Sequence, residues 1–447
     1  MASSAPLLQH HYRPRLFPNS QSSDPPSSTS CSSSHYCSAS ASASSRCRRG
    51  FDWKFISFFG VNNIWKNQNL RAYAMSASQG VIPSPRGIIK VGDEPDHLLV
   101  LVHGIMGSPS DWTYIQAELK RRLGSNFLIY ASSCNCYTKT FTGIDGAGKR
   151  LADEVMQLVK ERESLIKISF LSHSLGGLIA RYAISVLYTP SPSSAQSNAN
   201  PMCSSNKGLI AGLEPINFVT LATPHLGVRG NKQLPFLLGV NILEKLAAPM
   251  APIFVGRTGS QLFLTDGKPN KPPLLLQMAS DCEDGKFLSA LGAFRCRIIY
   301  ANVSYDHMVG WRTSSIRREI ELVKPPTRSL DGYKHVVGVE YCPPVLSNGP
   351  NFPPEAAKAK EAAQNKPSTK NTLEYHEIVE EEMIRGMQQL GWKKVDVNFH
   401  SAIWPFFAHN NIHVKNEWLH NSGAGVVAHV ADNIKQVDSN PLLAASL

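Results

Sequence analysis

The sequence predicts an α/β fold, with a mostly parallel central sheet that is covered by helices on both faces. Short apolar runs of β-compatible residues alternate along the chain with stretches of helical spacing. Strands that are separated by helices pair in parallel, and a parallel sheet is buried on both faces. The chain has 447 residues, 42% of them hydrophobic, which is enough to bury one large core or two smaller ones.

The predicted strands are short and apolar, and turn residues or helical stretches separate them. In order they are HLLVLVHG (97–104), NFLIYASS (126–133), KISFLS (167–172), PINFVTLATPHLG (215–227), CRIIYANVS (296–304) and KKVDVNF (393–399).

Helical stretches lie between these strands. SPSDWTYIQAELKRRLG (108–124) ends at a glycine, a frequent helix stop, and GAGKRLADEVMQLVKERES (146–164) is amphipathic. After KISFLS, apolar residues recur at three- and four-residue intervals, which is typical of a buried helix. They are Leu178, Ile179, Tyr182, Ala183, Val186 and Leu187.

The first 75 residues differ in character from the rest. Sixteen of the first fifty residues are Ser, and residues 1–92 carry ten Lys or Arg but only two acidic residues, Asp24 and Asp52. A Ser-rich, basic and acid-poor leader is typical of an organelle transit peptide, and no apolar run there is long enough for a secretory signal. The prediction is a chloroplast transit peptide, with a mitochondrial leader or a disordered cytoplasmic tail as alternatives.

Charge and cysteine content exclude two classes of function. Removal of the leader before Met75 takes away eight basic and two acidic residues, so the formal charge falls from +11 by six to +5. A mildly basic body without basic runs is not a nucleic-acid-binding footprint. The nine cysteines form no C-x-x-C pair and have no His at ligand spacing, so we expect free, mostly buried thiols and no metal site.

Two insertions interrupt the α/β body predicted for residues 93–437. The first, about 230–290, contains the apolar stretch Leu234–Gly256, whose three prolines argue against a membrane span. It forms either a cap or lid over an apolar pocket or ordinary core helices. An apolar cap on a basic body is compatible with transient docking on an anionic membrane surface. The second insertion, about 324–370, is rich in Pro and Lys and is predicted to be irregular or a solvated helix.

One turn between a predicted strand and a predicted helix contains the candidate nucleophile. Ser172-His173-Ser174-Leu175-Gly176 stands between a strand and a helix and fits the pattern small-x-Ser-x-Gly of a nucleophile elbow. Ser174 is the predicted nucleophile, and the backbone N–H of Leu175 is a predicted oxyanion donor. The second donor is predicted at Ile105, in the turn after HLLVLVHG, with Met106 as the fallback. Ser172 stands where this pattern usually has Gly.

Five stretches together resemble one known family: HLLVLVHGIMGSPSDW, SHSLGGLIARYA, FVTLATPHLGVRG, TGSQLFLTD and IIYANVSYDHMVGWRTSSI. They are similar to the serine esterase, lipase-like family of α/β-hydrolases found in plants and yeasts. The similarity covers most of residues 93–320 and resumes near 371–437. It implies an α/β-hydrolase fold and the hydrolysis of carboxylic esters, with lipids as the expected class.

The acid and the base are predicted from chain order, because this fold uses Ser, then an acid, then His. Asp306 follows a late strand and matches the family motif, whereas the alternatives Asp281 and Asp284 have less strand context. Similarity to the family indicates His409 as the base, and His413 is the second choice. The remaining histidines of that loop and those near the motifs are predicted to be surface or packing residues: His400, His420, His173, His225 and His307.

These residues predict a serine carboxylester hydrolase, of the lipase or lipid acyl hydrolase type, that forms an acyl-enzyme on Ser174. Such a mechanism requires no metal and no organic cofactor. Two alternatives stay open: an acyltransferase on the same triad, and a non-catalytic ligand receptor of this fold. The sequence predicts an ester or lipid substrate and no nucleic-acid partner, and it leaves the head group, the acyl-chain length and the oligomeric state open.

Overall fold

The structure is a computed structural model that describes residues 94–191, 208–228, 253, 255–268, 271–345 and 373–439. The predicted transit peptide, residues 1–75, lies outside the described residues. So does most of the apolar stretch Leu234–Gly256 predicted as a cap or lid.

A seven-stranded sheet forms the centre of the molecule. In chain order its strands are β1 His97–Val102, β2 Phe127–Ala131, β3 Lys167–His173, β4 Glu214–Leu221, β5 Cys296–Asn302, β6 Val336–Cys342 and β7 Trp392–Val397. Their order across the sheet is β6-β7-β5-β4-β3-β1-β2, and every neighbouring pair is parallel except β6 with β7. The prediction of a mostly parallel sheet is therefore confirmed.

The helices alternate with these strands. They are α1 Thr113–Leu123, α2 Ile144–Lys160, α3 Leu175–Leu187, α4 Leu274–Gln277, α5 Phe287–Ala293, α6 Trp311–Ser315, α7 Leu373–Gln388, α8 Ala408–Asn411, α9 Glu417–His420 and α10 Ala424–Ser439, and residues 255–262 are also helical. Two short strand pairs stand apart from the sheet, Tyr188–Thr189 with Leu209–Ile210 and Asp281–Cys282 with Gly285–Lys286.

Two hydrophobic cores lie on opposite faces of the sheet, because successive strand side chains point to opposite sides. On β1, Leu98 and Val100 pack with α2, α3, α5 and α7. Leu99 and Leu101, the residues between and after them, pack on the other face with α1 and α10. Helices thus cover both faces, as predicted.

The prediction that residues 324–370 are irregular or a solvated helix is wrong in part. This segment contains the strand β6, which pairs with β7 at the edge of the sheet. Residues 346–372 lie outside the described part of the chain. β6 has a partner on one side only, and Val339 and Tyr341 are exposed. An edge strand of this kind lacks the continuous apolar run that marked the buried strands.

Of the described cysteines, only Cys296 is buried and the other four are half-buried, although all five are free thiols.

Seven histidines of the described core are held neutral by burial. Desolvation lowers the pKa of each of them below its ordinary value: His103, His173, His225, His335, His413, His420 and His429. His429 on α10 is one of the clearest cases. Burial lowers its pKa to about 4, and its Nδ1 lies 2.9 Å from the Tyr300 hydroxyl of β5.

We expect mild acid to destabilise the fold through these groups. Between about pH 6.5 and pH 4 the unfolded chain binds a proton at His429 and the folded chain does not, so stability is full above this window and is lost as pH falls through it. The loss is at most about 1.4 kcal/mol per pH unit for one such group. Urea unfolding across this range should therefore show a shallower pH dependence for His429→Gln than for the wild type.

A matched control for this prediction is His400→Gln, because the His400 side chain is exposed. It should reproduce the wild-type pH dependence of the free energy of unfolding. Equal slopes for His429→Gln and the wild type would show that His429 does not contribute to the acid sensitivity.

Candidate active site

The turn between β3 and α3 holds Ser174 in a strained conformation. Its φ is 54° and its ψ is −130°, a region that costs a residue other than Gly about 1–3 kcal/mol. The surrounding backbone holds the turn in place. The Ser174 N–H donates to the Leu221 carbonyl at the end of β4 (2.9 Å), and the Ser174 carbonyl accepts the hydroxyl of Thr223 (2.9 Å).

Small residues are necessary where α3 leaves this turn. A Cβ added at Gly176 would lie 2.2 Å from the Val102 carbonyl oxygen of β1, and one at Gly104 would lie 2.8 Å from the Ser174 Cβ. Strand and helix therefore approach so closely that only glycine fits at these two positions. Ser172, which stands where the elbow pattern usually has Gly, is fully buried on β3.

Three predicted residues come together at the carboxyl edge of the sheet. His409 Nε2 lies 3.0 Å from Ser174 Oγ, and His409 Nδ1 lies 3.0 Å from Asp306 Oδ2. The strand order explains this arrangement, because Ser174 follows β3, Asp306 follows β5, and His409 follows β7 beside β5. The carboxyl ends of parallel strands meet at one edge, where this fold gathers its side chains.

Asp306 is buried and is held as a carboxylate. Its Oδ2 accepts the Asn302 side-chain amide (2.8 Å), and its Oδ1 accepts the backbone N–H groups of Met308 and Val309 (both 2.9 Å). Burial alone would raise the pKa of Asp306, but the His409 imidazole and these hydrogen bonds outweigh it and hold the pKa below its ordinary value. The carboxylate can therefore orient the Nδ1–H of His409.

Two further imidazoles, those of His173 and His413, lie near His409. His173 Nε2 lies 2.8 Å from the His409 carbonyl oxygen, so it donates a hydrogen bond to the backbone that carries the base. His173 in turn stacks on His413, with ring centroids 3.8 Å apart. Burial lowers the pKa of both well below the ordinary value. Both imidazoles are therefore neutral. Of the two predicted bases, it is His409 that lies within hydrogen-bonding distance of Ser174.

The two predicted oxyanion donors lie in turns next to the nucleophile, Leu175 directly after Ser174 and Ile105 directly after Gly104, whose added Cβ would lie 2.8 Å from the Ser174 Cβ. Within the described residues, neither the N–H of Ile105 nor that of Leu175 has a hydrogen-bond acceptor. The fallback, Met106, donates its N–H to the Thr140 hydroxyl (3.1 Å) instead. Leu175 is also the first residue of α3, where N–H groups have no partner within the helix and favour negative charge.

The alternative residues are engaged elsewhere. Asp281 accepts the N–H groups of Leu288 and Ser289 at the start of α5, and Asp284 pairs with Lys271 (2.7 Å). His420 accepts the N–H of Asn416 (3.1 Å). Of the other histidines, His400 is exposed, the His225 ring is hydrogen-bonded to the Thr220 hydroxyl, and the His307 ring stacks on Phe406.

Sequence reasoning missed the residues that position this group. Asn302, which holds the Asp306 carboxylate, could have been noticed as a polar residue at the end of an apolar strand. Thr140 and Thr223 carry no such signal, because each acts on a backbone group far away in the sequence.

A parallel sheet with a strained serine turn after β3, an acid after β5 and a histidine after β7 defines an α/β-hydrolase. The family is shown by the sequence itself. Residues 92–316, just over half of the chain, match the family described as "Putative serine esterase (DUF676)", and the chain belongs to that family. The matched range includes Ser174 and Asp306 and ends before His409.

Several relatives of this chain are yeast proteins. "Putative lipase YDL109C" and "Putative lipase ROG1" of Saccharomyces cerevisiae are 29% and 28% identical over 50% and 49% of this chain. "Putative lipase C4A8.10" of Schizosaccharomyces pombe is 27% identical over 49% of it. The matched region spans only 30%, 28% and 26% of these relatives' own lengths.

Two similar solved structures are both lipases. Aspergillus fumigatus lipase B is 14% identical, with a TM-score of 0.30 over 52% of this chain and 43% of that one. Bacillus licheniformis lipase BlEst2 in its propeptide form is 18% identical, with a TM-score of 0.29 over 48% of this chain and 37% of that one.

The described residues contain neither a metal-binding cluster nor a membrane-spanning helix. No group of three or more His, Cys, Asp or Glu in that part of the chain is arranged to hold a metal ion. Among the same residues, no helix has the length and apolar character needed to cross a membrane.

Proposed function

We propose that this protein is a serine carboxylester hydrolase that acts on lipid esters. The observation that supports the proposal most is the hydrogen-bonded series Ser174–His409–Asp306, with 3.0 Å at each step. Its nucleophile occupies a strained turn that only a packed strand–turn–helix unit maintains. The lipid class is supported by the names of the yeast relatives.

The chemistry follows from the roles of the three side chains. His409 Nε2 accepts the hydroxyl proton of Ser174 while Oγ attacks the ester carbonyl, and Asp306 stabilises the imidazolium that forms. The N–H groups of Ile105 and Leu175 bind the oxyanion of the tetrahedral intermediate. His409 then gives the proton to the leaving alcohol, and an acyl-enzyme remains on Ser174.

Hydrolysis repeats the same steps with water. His409 takes a proton from the water that attacks the acyl carbonyl, and it returns this proton to Ser174 Oγ as the free acid leaves. If an alcohol takes the place of water, the same residues transfer the acyl group instead.

A fluorophosphonate probe and a series of p-nitrophenyl esters test this proposal on the purified protein. We expect covalent labelling of Ser174 and turnover with an optimum at long acyl chains. Product analysis with added glycerol separates hydrolysis from acyl transfer, because only a transferase forms mainly the glycerol ester. Absence of labelling together with tight, saturable ester binding would overturn the proposal in favour of a receptor.

A further inference from the structure

Exposed aromatic side chains are concentrated at the carboxyl edge of the sheet. Seven aromatic side chains among the described residues are more than a third exposed, and six of them lie in connecting segments that follow the carboxyl ends of the strands. The exception is Tyr341 on β6. Together with two aliphatic neighbours they form a surface that we call the rim: Met106, Tyr137, Tyr305, Ile403, Trp404, Phe406, Phe407 and Trp418.

Several rim residues lie beside the groups of the candidate active site. On one side, the Tyr137 N–H donates to the Gly107 carbonyl (3.0 Å), which joins Tyr137 to the loop of Ile105 and Met106. On the other side, Tyr305, next to Asp306, lies edge-to-face with Phe406, with ring centroids 6.0 Å apart. Phe406 and Phe407 precede His409 by three and two residues. Exposed apolar side chains therefore lie next to the oxyanion loop, the acid and the base.

Few charges interrupt the rim. In residues 103–112, 132–143, 303–310 and 398–423, the charged side chains apart from histidine are Asp111, Lys139, Asp306, Lys415 and Glu417. Asp111 and Lys415 pair with each other (3.3 Å), and Asp306 is buried. Lys139 and Glu417 remain, and their charges are opposite. The rim is therefore close to neutral, unlike a surface that binds anionic lipids through basic residues.

We propose that the rim docks the protein on an uncharged lipid–water interface, with Ser174 facing the lipid. Trp and Tyr rings match such an interface, because one part of the ring system is apolar and the other forms hydrogen bonds. A neutral rim complements zwitterionic or uncharged head groups, because few charged side chains would lose their hydration when the rim contacts the lipid. A protein partner seated on the rim would close the site, whereas a lipid surface delivers an ester to it. This last step rests on the proposed function.

Vesicle partitioning of the full chain tests the proposal. The rim variant is Ile403→Asn/Trp418→Asn, whose side chains are 84% and 90% exposed, so the fold does not depend on them. The matched control is Ile166→Asn/Ile320→Asn, 57% and 87% exposed and outside the rim. On phosphatidylcholine vesicles we expect the rim variant to partition at least roughly tenfold more weakly than the wild type, and the control to partition like the wild type.

Salt and lipid charge provide a second readout. Partitioning should be nearly equal at low and high salt, and added phosphatidylglycerol should not strengthen it, because the rim binds through apolar area. Binding only to anionic vesicles, with loss at high salt, would overturn the proposal. So would equal partitioning of the rim and control variants, or a wild type that does not bind phosphatidylcholine.

Tryptophan quenching locates the contact. The chain has seven tryptophans, and brominated phosphatidylcholine quenches only indoles that touch the lipid. Most of the quenching should disappear in Trp404→Phe/Trp418→Phe. A rim variant that changes the oligomeric state in light scattering would show instead that the rim joins copies of the chain, and would overturn the proposal.

The docking and the chemistry can fail independently. Ser174→Ala should partition on vesicles like the wild type, because Ser174 is buried and is not part of the rim. Loss of its ester turnover tests the proposed function alone, whereas the partitioning of the rim variant tests the rim alone.

Discussion

Ser174→Ala should lower kcat for a p-nitrophenyl ester by about 10⁴- to 10⁶-fold and abolish fluorophosphonate labelling. The variant removes only Oγ, the atom 3.0 Å from His409 Nε2, and it keeps the Cβ that the strained turn already accommodates. Its folding stability should therefore be close to that of the wild type. Residual catalysis would come from the oxyanion donors and substrate binding. Steady-state kinetics and thermal unfolding of the same samples measure both effects.

The neighbouring serine is the matched control for this variant. Ser172 is fully buried two residues earlier on β3, and its Oγ has no hydrogen-bond partner in the described part of the chain. Ser172→Ala should keep labelling and turnover. Ser174→Ala/His409→Ala should lose little more than either single variant, because the two residues act as a unit. Full turnover by Ser174→Ala would end the assignment of the nucleophile.

Asp306→Asn should lower kcat by about 10⁴-fold. Its Oδ1 accepts two backbone N–H groups, so an Asn side chain would keep its oxygen there and turn its amide NH₂ toward His409 Nδ1. The imidazole would then hold its proton on Nε2 and could not accept the proton of Ser174. The Asn302 amide, 2.8 Å from Oδ2 in the wild type, would also face another NH₂ group. We therefore also expect a lower thermal stability.

Asp281→Asn is the control for the acid, because Asp281 is one of the two alternative acids considered from the sequence and accepts N–H groups at the start of α5 instead. It should keep wild-type turnover. A pH–rate profile separates loss of the acid from misfolding, because a folded Asp306→Asn enzyme should recover part of its rate at high pH as hydroxide takes over the role of the base. Equal kcat for Asp306→Asn and the wild type would contradict the role of Asp306.

The sheet and the serine turn could be predicted because their signals are local. Each buried strand is a continuous apolar run, and the turn shows strand, serine and helix within about twenty residues. The edge strand β6 escaped prediction because one of its sides is unpaired and part of it is exposed. Its stability comes from pairing with β7, which begins fifty residues later in the chain.

The choice between His409 and His413 illustrates what local patterns do not contain. The two residues are four positions apart and follow the same strand, so spacing treats them alike. Their different surroundings come from β3, more than two hundred residues earlier, since Ser174 meets His409 and His173 stacks on His413. Similarly, the backbone N–H of Met106 donates to the Thr140 hydroxyl, and the sequence gives no sign that these two loops meet.

The sequence by itself determined the alternation of strands and helices, the parallel sheet that follows from it, and the position of the strained serine. Those features depend on side-chain periodicity and on steric limits within a few residues. Tertiary structure decided which histidine reaches Ser174, which amides stay free beside it, and that exposed aromatic side chains from several connecting segments lie at the carboxyl edge of the sheet. Those outcomes depend on distances between residues far apart in the chain, and only the packing of helices on both faces of the sheet sets such distances.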